Sequence, residues 1–162
     1  MLDVIGPDVI AAMRPDSVNF PLFLHVLGAM LLVGCLAAVG YATILGWRAP
    51  ERAPGLGRFG LKVLLMGVLP AYILMRVGAQ WTESKENLPD DYEATWLDIG
   101  YITADIGALL VLISIVLAAI GLRRSRANPA GGVGLARAVG VISIVLLAAY
   151  VVAVWAMTTK PT

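Results

Sequence analysis

The stretch "LHVLGAMLLVGCLAAVGYATIL" (residues 24–45) decides the fold, because it is long enough to cross a bilayer and carries almost no charge. Its one basic group is His25, which is also the only histidine of the chain. A helix needs about 20 mainly apolar residues to span a hydrocarbon core of about 30 Å. The stretch therefore predicts a transmembrane helix with a single histidine inside it.

Three further apolar stretches follow, so that the sequence predicts four membrane spans, at about 19–46, 60–81, 98–122 and 134–157. Charged residues make up only 14% of the 162 residues, and the mean hydropathy is +0.84. A soluble domain of this size carries about a quarter charged residues. The prediction is an all-α polytopic membrane protein, a four-transmembrane-helix bundle that forms a single membrane domain over residues 1–162 and is surrounded by lipid.

The charges of the connections predict how the chain is oriented. Connections 47–59 and 122–133 are rich in arginine, whereas connection 82–97 holds five acidic residues against Lys85 alone. Basic short loops remain in the cytoplasm. We therefore expect a multi-pass protein of the bacterial cytoplasmic (inner) membrane with both termini extracytoplasmic. Residues 1–18 lack the basic segment of a signal peptide, and a short interfacial helix is expected over residues 7–14.

The two basic connections resemble each other. "GWRAPERAPGLGRFGLK" (46–62) and "GLRRSRANPAGGVGLAR" (121–137) align at an offset of 75 residues. One explanation is a duplicated helical hairpin, and the other is that any cytoplasmic turn favours glycine, proline and arginine. In both cases the short connections make successive helices antiparallel neighbours, as in a four-helix bundle.

Three ionisable residues inside the spans form the candidate site: His25, Arg76 and Asp105. At about 1.5 Å per residue, each lies roughly 8–10 Å below the outer edge of its span, and Tyr150 of the fourth span has a similar depth. Charged groups inside a bilayer are costly and mark functional sites. Tyr72 and Gln80 lie one helical turn on either side of Arg76. The sequence predicts a polar site in the outer half of the bundle, built from these six residues.

Two interpretations of this polar layer remain open. Arg76 and Asp105 can form an ion pair that fixes the register of two helices, with His25 and Tyr150 completing the hydrogen bonds. Alternatively, the site binds or conducts a small ligand, an ion or a proton, and this is the function we favour. The alternatives are a redox membrane protein that binds haem b or quinone, and a structural subunit of a membrane complex.

No nucleophile triad, phosphate-binding loop, zinc spacing or nucleotide fingerprint is present, so a conventional enzyme is disfavoured. A net charge of +1 gives no indication of nucleic acid. Four helices rarely enclose a wide pore, so a transport role favours a homo-oligomer. Pro70 is expected to kink the second span.

The residues leave the cofactor undetermined. His25 and Met75 are candidate metal ligands, since imidazole with thioether suits Cu(I). Haem with His25 as one axial ligand needs a second ligand, which would come from a methionine or from a second copy of the chain.

Two segments resemble a known family. "LHVLGAMLLVG" (24–34) resembles the corresponding segment of the copper-resistance D superfamily and of its small four-span relatives. "VWAMTTKP" (154–161) is similar to the ending that is common in those small relatives. The resemblance implies copper handling, with His25 at the position of the first-helix histidine.

Overall fold

The computed structural model describes residues 16–86 and 95–159, which form helices joined by tight turns. The α-helices are α1 (Asp16–Arg48), α2 (Ala53–Val63), α3 (Leu69–Glu86), α4 (Thr95–Ala127) and α5 (Val133–Thr159). A π-helical turn, Leu64–Val68, joins α2 to α3, and 3₁₀ turns at Pro50–Arg52 and Pro129–Gly132 lie in the two basic connections. The interfacial helix expected over residues 7–14 falls outside the described residues.

Four segments are long and apolar enough to cross a membrane, namely Ser17–Arg48, Pro50–Lys85, Thr95–Ala127 and Val133–Thr159. The second of them consists of the 3₁₀ turn Pro50–Arg52, α2, the π turn and α3 up to Lys85. The all-α four-helix prediction is confirmed. The helices extend beyond the apolar stretches, and connection 47–59, which we expected to be a loop, is largely helical. Pro50 and Pro54 permit this because each lies in the first turn of its helix, where a missing N–H costs nothing.

The first two spans come into close contact where two glycines meet the backbone of the opposite helix. A Cβ atom at Gly28 would lie 2.7 Å from the Cα atom of Met75, and one at Gly78 would lie 2.8 Å from the Cα atom of His25. Any larger residue at either position would therefore collide with main chain. Small residues permit such close helix packing in membranes, where dispersion rather than water exclusion holds helices together. This reciprocal contact, which we call the glycine crossing, fixes α1 against α3.

The last two spans pack through a seven-residue repeat. Along α4, Gly100 lies against Met157, Gly107 against the ring of Tyr150, and Gly121 against Leu135. Ser114 is buried midway between Gly107 and Gly121. Small residues spaced by seven keep one side of a helix facing its partner, as in a coiled coil. The sequence of α4 thus contains the seam that holds α5, which is a feature that the apolar pattern alone does not reveal.

The four spans form a ring that is closed at one end and open at the other. α1 packs against the second span and against α5, α5 packs against α4, and α2 touches α4. In contrast, α3 and α4 approach each other at few points. We call the end that carries Arg48, Arg52 and Arg124 the basic end, and the end that carries Glu83 and Asp98 the acidic end. The ring is open between α3 and α4, toward the acidic end.

Pro70 alters the backbone hydrogen bonding of the second span. Proline has no N–H to donate, so the helical hydrogen bond to the Met66 carbonyl is lost. The preceding residues adopt a π turn, in which the Leu69 N–H bonds to the Leu64 carbonyl. Within this turn, Gly67 packs on the thiol of Cys35, whose Sγ atom would lie 2.7 Å from an added Cβ. The wider turn therefore still keeps the second span on α1.

Gly78→Ala tests the glycine crossing. We expect a loss of about 1–3 kcal/mol in the free energy of unfolding, because the new methyl group meets the backbone of His25. The measurement is reversible unfolding in detergent micelles, followed by circular dichroism. Gly34→Ala is the matched control, since an added Cβ there meets nothing within 4 Å. The control should keep or raise stability, and equal losses in the two variants would contradict the assignment.

Candidate functional site

An ion pair bridges the opening between α3 and α4. Nη2 of Arg76 lies 2.9 Å from Oδ1 of Asp105. The Arg76 side chain is 24% exposed and that of Asp105 is 65% exposed, so the pair lies on the open side of the ring rather than in its core. The structure therefore brings together two of the predicted site residues, from two different spans.

Tyrosines surround this ion pair. The guanidinium carbon of Arg76 lies 5.0 Å from the centroid of the Tyr101 ring, within range of a cation–π interaction. The Tyr101 hydroxyl donates to a carboxylate oxygen of Glu83, which lies two turns beyond Arg76 toward the acidic end. The Tyr72 hydroxyl donates to the carbonyl of Ala104 at 3.2 Å. Side chains of α3 and α4, rather than close backbone packing, thus connect the two helices here.

Glu83 was not among the predicted site residues, although a signal was present. It lies seven residues after Arg76, and this spacing puts both on one face of a helix. The sequence pattern places Glu83 in connection 82–97, whereas α3 extends through it.

His25 lies on α1, which packs against the side of α3 opposite to Arg76. Its Nδ1 atom lies 2.9 Å from the carbonyl oxygen of Met75, and because a carbonyl oxygen only accepts, Nδ1 carries the proton and donates it. In the neutral ring, Nε2 is then the atom left to accept a hydrogen bond or bind a metal. Among the described residues, no hydrogen bond or ion pair joins His25 to Arg76 or Asp105. The predicted polar layer is thus divided into two groups.

Tyr150 is the most unusual member of the predicted site. It is only 4% exposed, and its hydroxyl has no hydrogen-bond partner in the described part of the chain. The ring lies against Gly107, where an added Cβ would come within 3.0 Å of Cζ. Gly107 lies two residues after Asp105, so the ring is at the level of the Arg76–Asp105 ion pair in the bundle. A buried polar group without a partner costs about 1–3 kcal/mol, so this hydroxyl calls for a partner that the described residues do not supply.

Two of the predicted site residues remain, Gln80 and Met75. Gln80 is exposed on α3, one turn beyond Arg76 toward the acidic end. The Met75 side chain is buried, and it is the backbone carbonyl of Met75 that contacts His25. Residues 16–86 and 95–159 contain no group of three or more histidine, cysteine, aspartate or glutamate side chains suited to a metal ion. A copper site would therefore depend on His25 Nε2 and thioether sulfur.

The chain matches no known protein-family model, no curated protein and no solved structure. The assignment of the site therefore depends on its own geometry.

A double-mutant cycle tests the coupling of the two spans through the ion pair. We expect Arg76→Gln and Asp105→Asn each to reduce the free energy of unfolding, and the double variant to lose less than the sum. The expected coupling is about 1–3 kcal/mol, as for residues in direct contact. Denaturant unfolding in micelles gives the four values.

The control cycle pairs Arg76→Gln with Asp98→Asn. Asp98 lies in the first turn of α4, and no ion pair joins it to Arg76 in the described residues. Its effects should add to within about 0.5 kcal/mol. Additive losses for Arg76 and Asp105 would show that the ion pair does not hold the two spans together.

Proposed function

We propose that this integral membrane protein binds a small polar ligand in the half of the bilayer nearer its acidic end, between α3 and α4. The observation that carries the proposal is the Tyr150 hydroxyl, which is buried, has no partner among the described residues and lies at the level of the Arg76–Asp105 ion pair in the bundle. Buried polar groups are almost always hydrogen-bonded to protein, water or ligand. A ligand at this place supplies the missing partner.

The available groups define the chemistry of the ligand. The Tyr150 hydroxyl can donate a hydrogen bond, and the guanidinium of Arg76 has five N–H donors, of which the observed hydrogen bond to Asp105 uses one. The ligand should therefore present a hydrogen-bond acceptor, either a small anion or a carbonyl oxygen. The opening between α3 and α4 faces the lipid, which favours a carbonyl compound that partitions into the bilayer, such as a quinone.

The alternative functions require different residues. A purely structural ion pair needs Arg76 and Asp105 but does not need the Tyr150 hydroxyl. Copper, which the family resemblance suggests, would use Nε2 of His25 on the opposite side of α3. Haem would also require His25, together with a second axial ligand. The role of Tyr150 therefore distinguishes our proposal from each of these.

We also propose that the basic end faces the cytoplasm of a bacterium, with both termini of the chain on the outer side of the inner membrane. The excess of arginine at Arg48, Arg52, Arg123 and Arg124 supports this orientation. The ligand site then lies in the outer leaflet. If the protein transports its ligand, we expect it to do so as a homo-oligomer, since a single four-helix bundle is too narrow for a wide pore.

Tyr150→Phe separates ligand binding from structure. Without ligand, the variant should unfold at the same temperature as the parent or above it, because an unpartnered hydroxyl has been removed. A ligand that uses this hydroxyl should raise the melting temperature of the parent and have a smaller effect on the variant. The probes are chloride, Cu(I) and a short-chain quinone, each added to protein in lipid nanodiscs.

Tyr41→Phe is the matched control, because Tyr41 is exposed on α1, far from the candidate site. It should respond to each probe as the parent does. Stabilisation by quinone or chloride that survives Tyr150→Phe unchanged would contradict the proposed site. Stabilisation by Cu(I) that is lost in His25→Ala but kept in Tyr150→Phe would support the copper alternative instead.

A further inference from the structure

The basic end contains a cavity of about 440 Å³ that none of the predicted site residues lines. It lies where α1, α2, α4 and α5 meet, and a volume of this size is typical of sites for small organic ligands. Many of its wall residues are glycine or alanine, including Ala42, Gly46, Gly57, Gly60, Ala118 and Gly121.

Gly60, in the wall of the cavity, lies beside empty space that a ligand can fill. This glycine is buried in α2, yet a Cβ atom added to it would meet nothing within 4 Å. Buried positions in a packed interior normally touch their neighbours on all sides. The space beside Gly60 is therefore a true gap in the packing of the helices.

The wall of the cavity is mainly apolar, and its two hydroxyl groups are already hydrogen-bonded. The Thr43 hydroxyl donates to the Val39 carbonyl at 2.9 Å, and the Ser125 hydroxyl donates to the Gly121 carbonyl at 2.8 Å, each within its own helix. A water molecule needs two to four polar partners to remain in a buried site. With these hydroxyls already bonded, the cavity suits an apolar chain better than water.

One cationic side chain lines the same cavity. Arg137 of α5 is exposed, and none of the described acidic residues forms an ion pair with it. Arg48, Arg123 and Arg124 lie at the same end of the bundle, where the described ion pair is the one between Arg52 and Glu51 at 3.7 Å. The cavity thus combines an apolar interior with an excess of positive charge around it.

We propose that this cavity binds a phospholipid with an anionic head group, with an acyl chain in the cavity and the phosphate at Arg137. An acyl chain fits a wall of methyl and methylene groups, and a guanidinium binds phosphate through paired N–H donors. Basic pockets between transmembrane helices are suited to lipid head groups for this reason. The lipid comes from the leaflet at the basic end and binds independently of the ligand site near Tyr150.

Trp47 provides a reporter, because it lines the cavity at the end of α1. The other tryptophans are Trp81, Trp96 and Trp155, and they are changed to phenylalanine so that Trp47 alone fluoresces. The full chain is reconstituted in phosphatidylcholine vesicles that contain an equal fraction of brominated phosphatidylglycerol or brominated phosphatidylcholine. Bromine quenches tryptophan only at short range. We expect stronger quenching by the anionic lipid.

Two variants of the reporter protein test the two parts of the site. Arg137→Gln should reduce the preference for phosphatidylglycerol about fivefold, as expected for one basic residue beside an anionic lipid. Gly60→Leu should abolish the preference by filling the cavity, and leucine should not weaken the helix because its helix propensity exceeds that of glycine.

Two control variants change residues at the basic end that do not line the cavity. Arg123→Gln removes a cation from the same end, and Gly134→Leu adds the same side chain at an exposed position where a Cβ meets nothing within 4 Å. Both should retain the preference of the parent. Equal quenching by the two lipids in the parent would overturn the proposal. Retention of the preference in Gly60→Leu, or an equal loss in Arg123→Gln, would show diffuse surface attraction instead of a cavity site.

Discussion

The arrangement of this protein depends on the contact of backbone with backbone at the glycine crossing. Gly28 meets the main chain of Met75, and Gly78 meets the main chain of His25. Because neither position has room for a side chain, α3 is held against α1 along one face. Its opposite face, which carries Tyr72 and Arg76, is directed toward α4 at a distance that long polar side chains span. The crossing thus determines which residues can form the site.

The two ends of the bundle consequently have different chemistry. Toward the acidic end, α3 and α4 diverge, and an ion pair, a cation–π contact and tyrosine hydrogen bonds bridge the space. Toward the basic end, all four spans converge, but glycine and alanine leave a cavity between them. The seven-residue seam of α4 holds α5 along both halves and buries Tyr150 against Gly107. The fold therefore has two candidate binding sites, a polar one toward the acidic end and an apolar one bordered by arginine toward the basic end.

The four spans could be predicted from the sequence, since length and the scarcity of charge suffice for that. Depth along the spans also indicated that Arg76 and Asp105 lie at similar levels, and the structure pairs them. The separation of His25 from that pair was not predictable, because it depends on the rotation of α3, which the glycine crossing fixes. The cavity was missed for a related reason. Glycine and alanine in a membrane helix look the same in the sequence whether they pack closely or leave a gap.

The central claim is that the Tyr150 hydroxyl bonds to something other than the described protein residues. A high-resolution structure of the protein in a lipid nanodisc tests this most directly. We predict non-protein density at hydrogen-bond distance, about 2.7–2.8 Å, from the Tyr150 hydroxyl oxygen and within reach of Arg76. A hydroxyl that donates to a carbonyl of the chain, or that faces an empty space, would contradict the account.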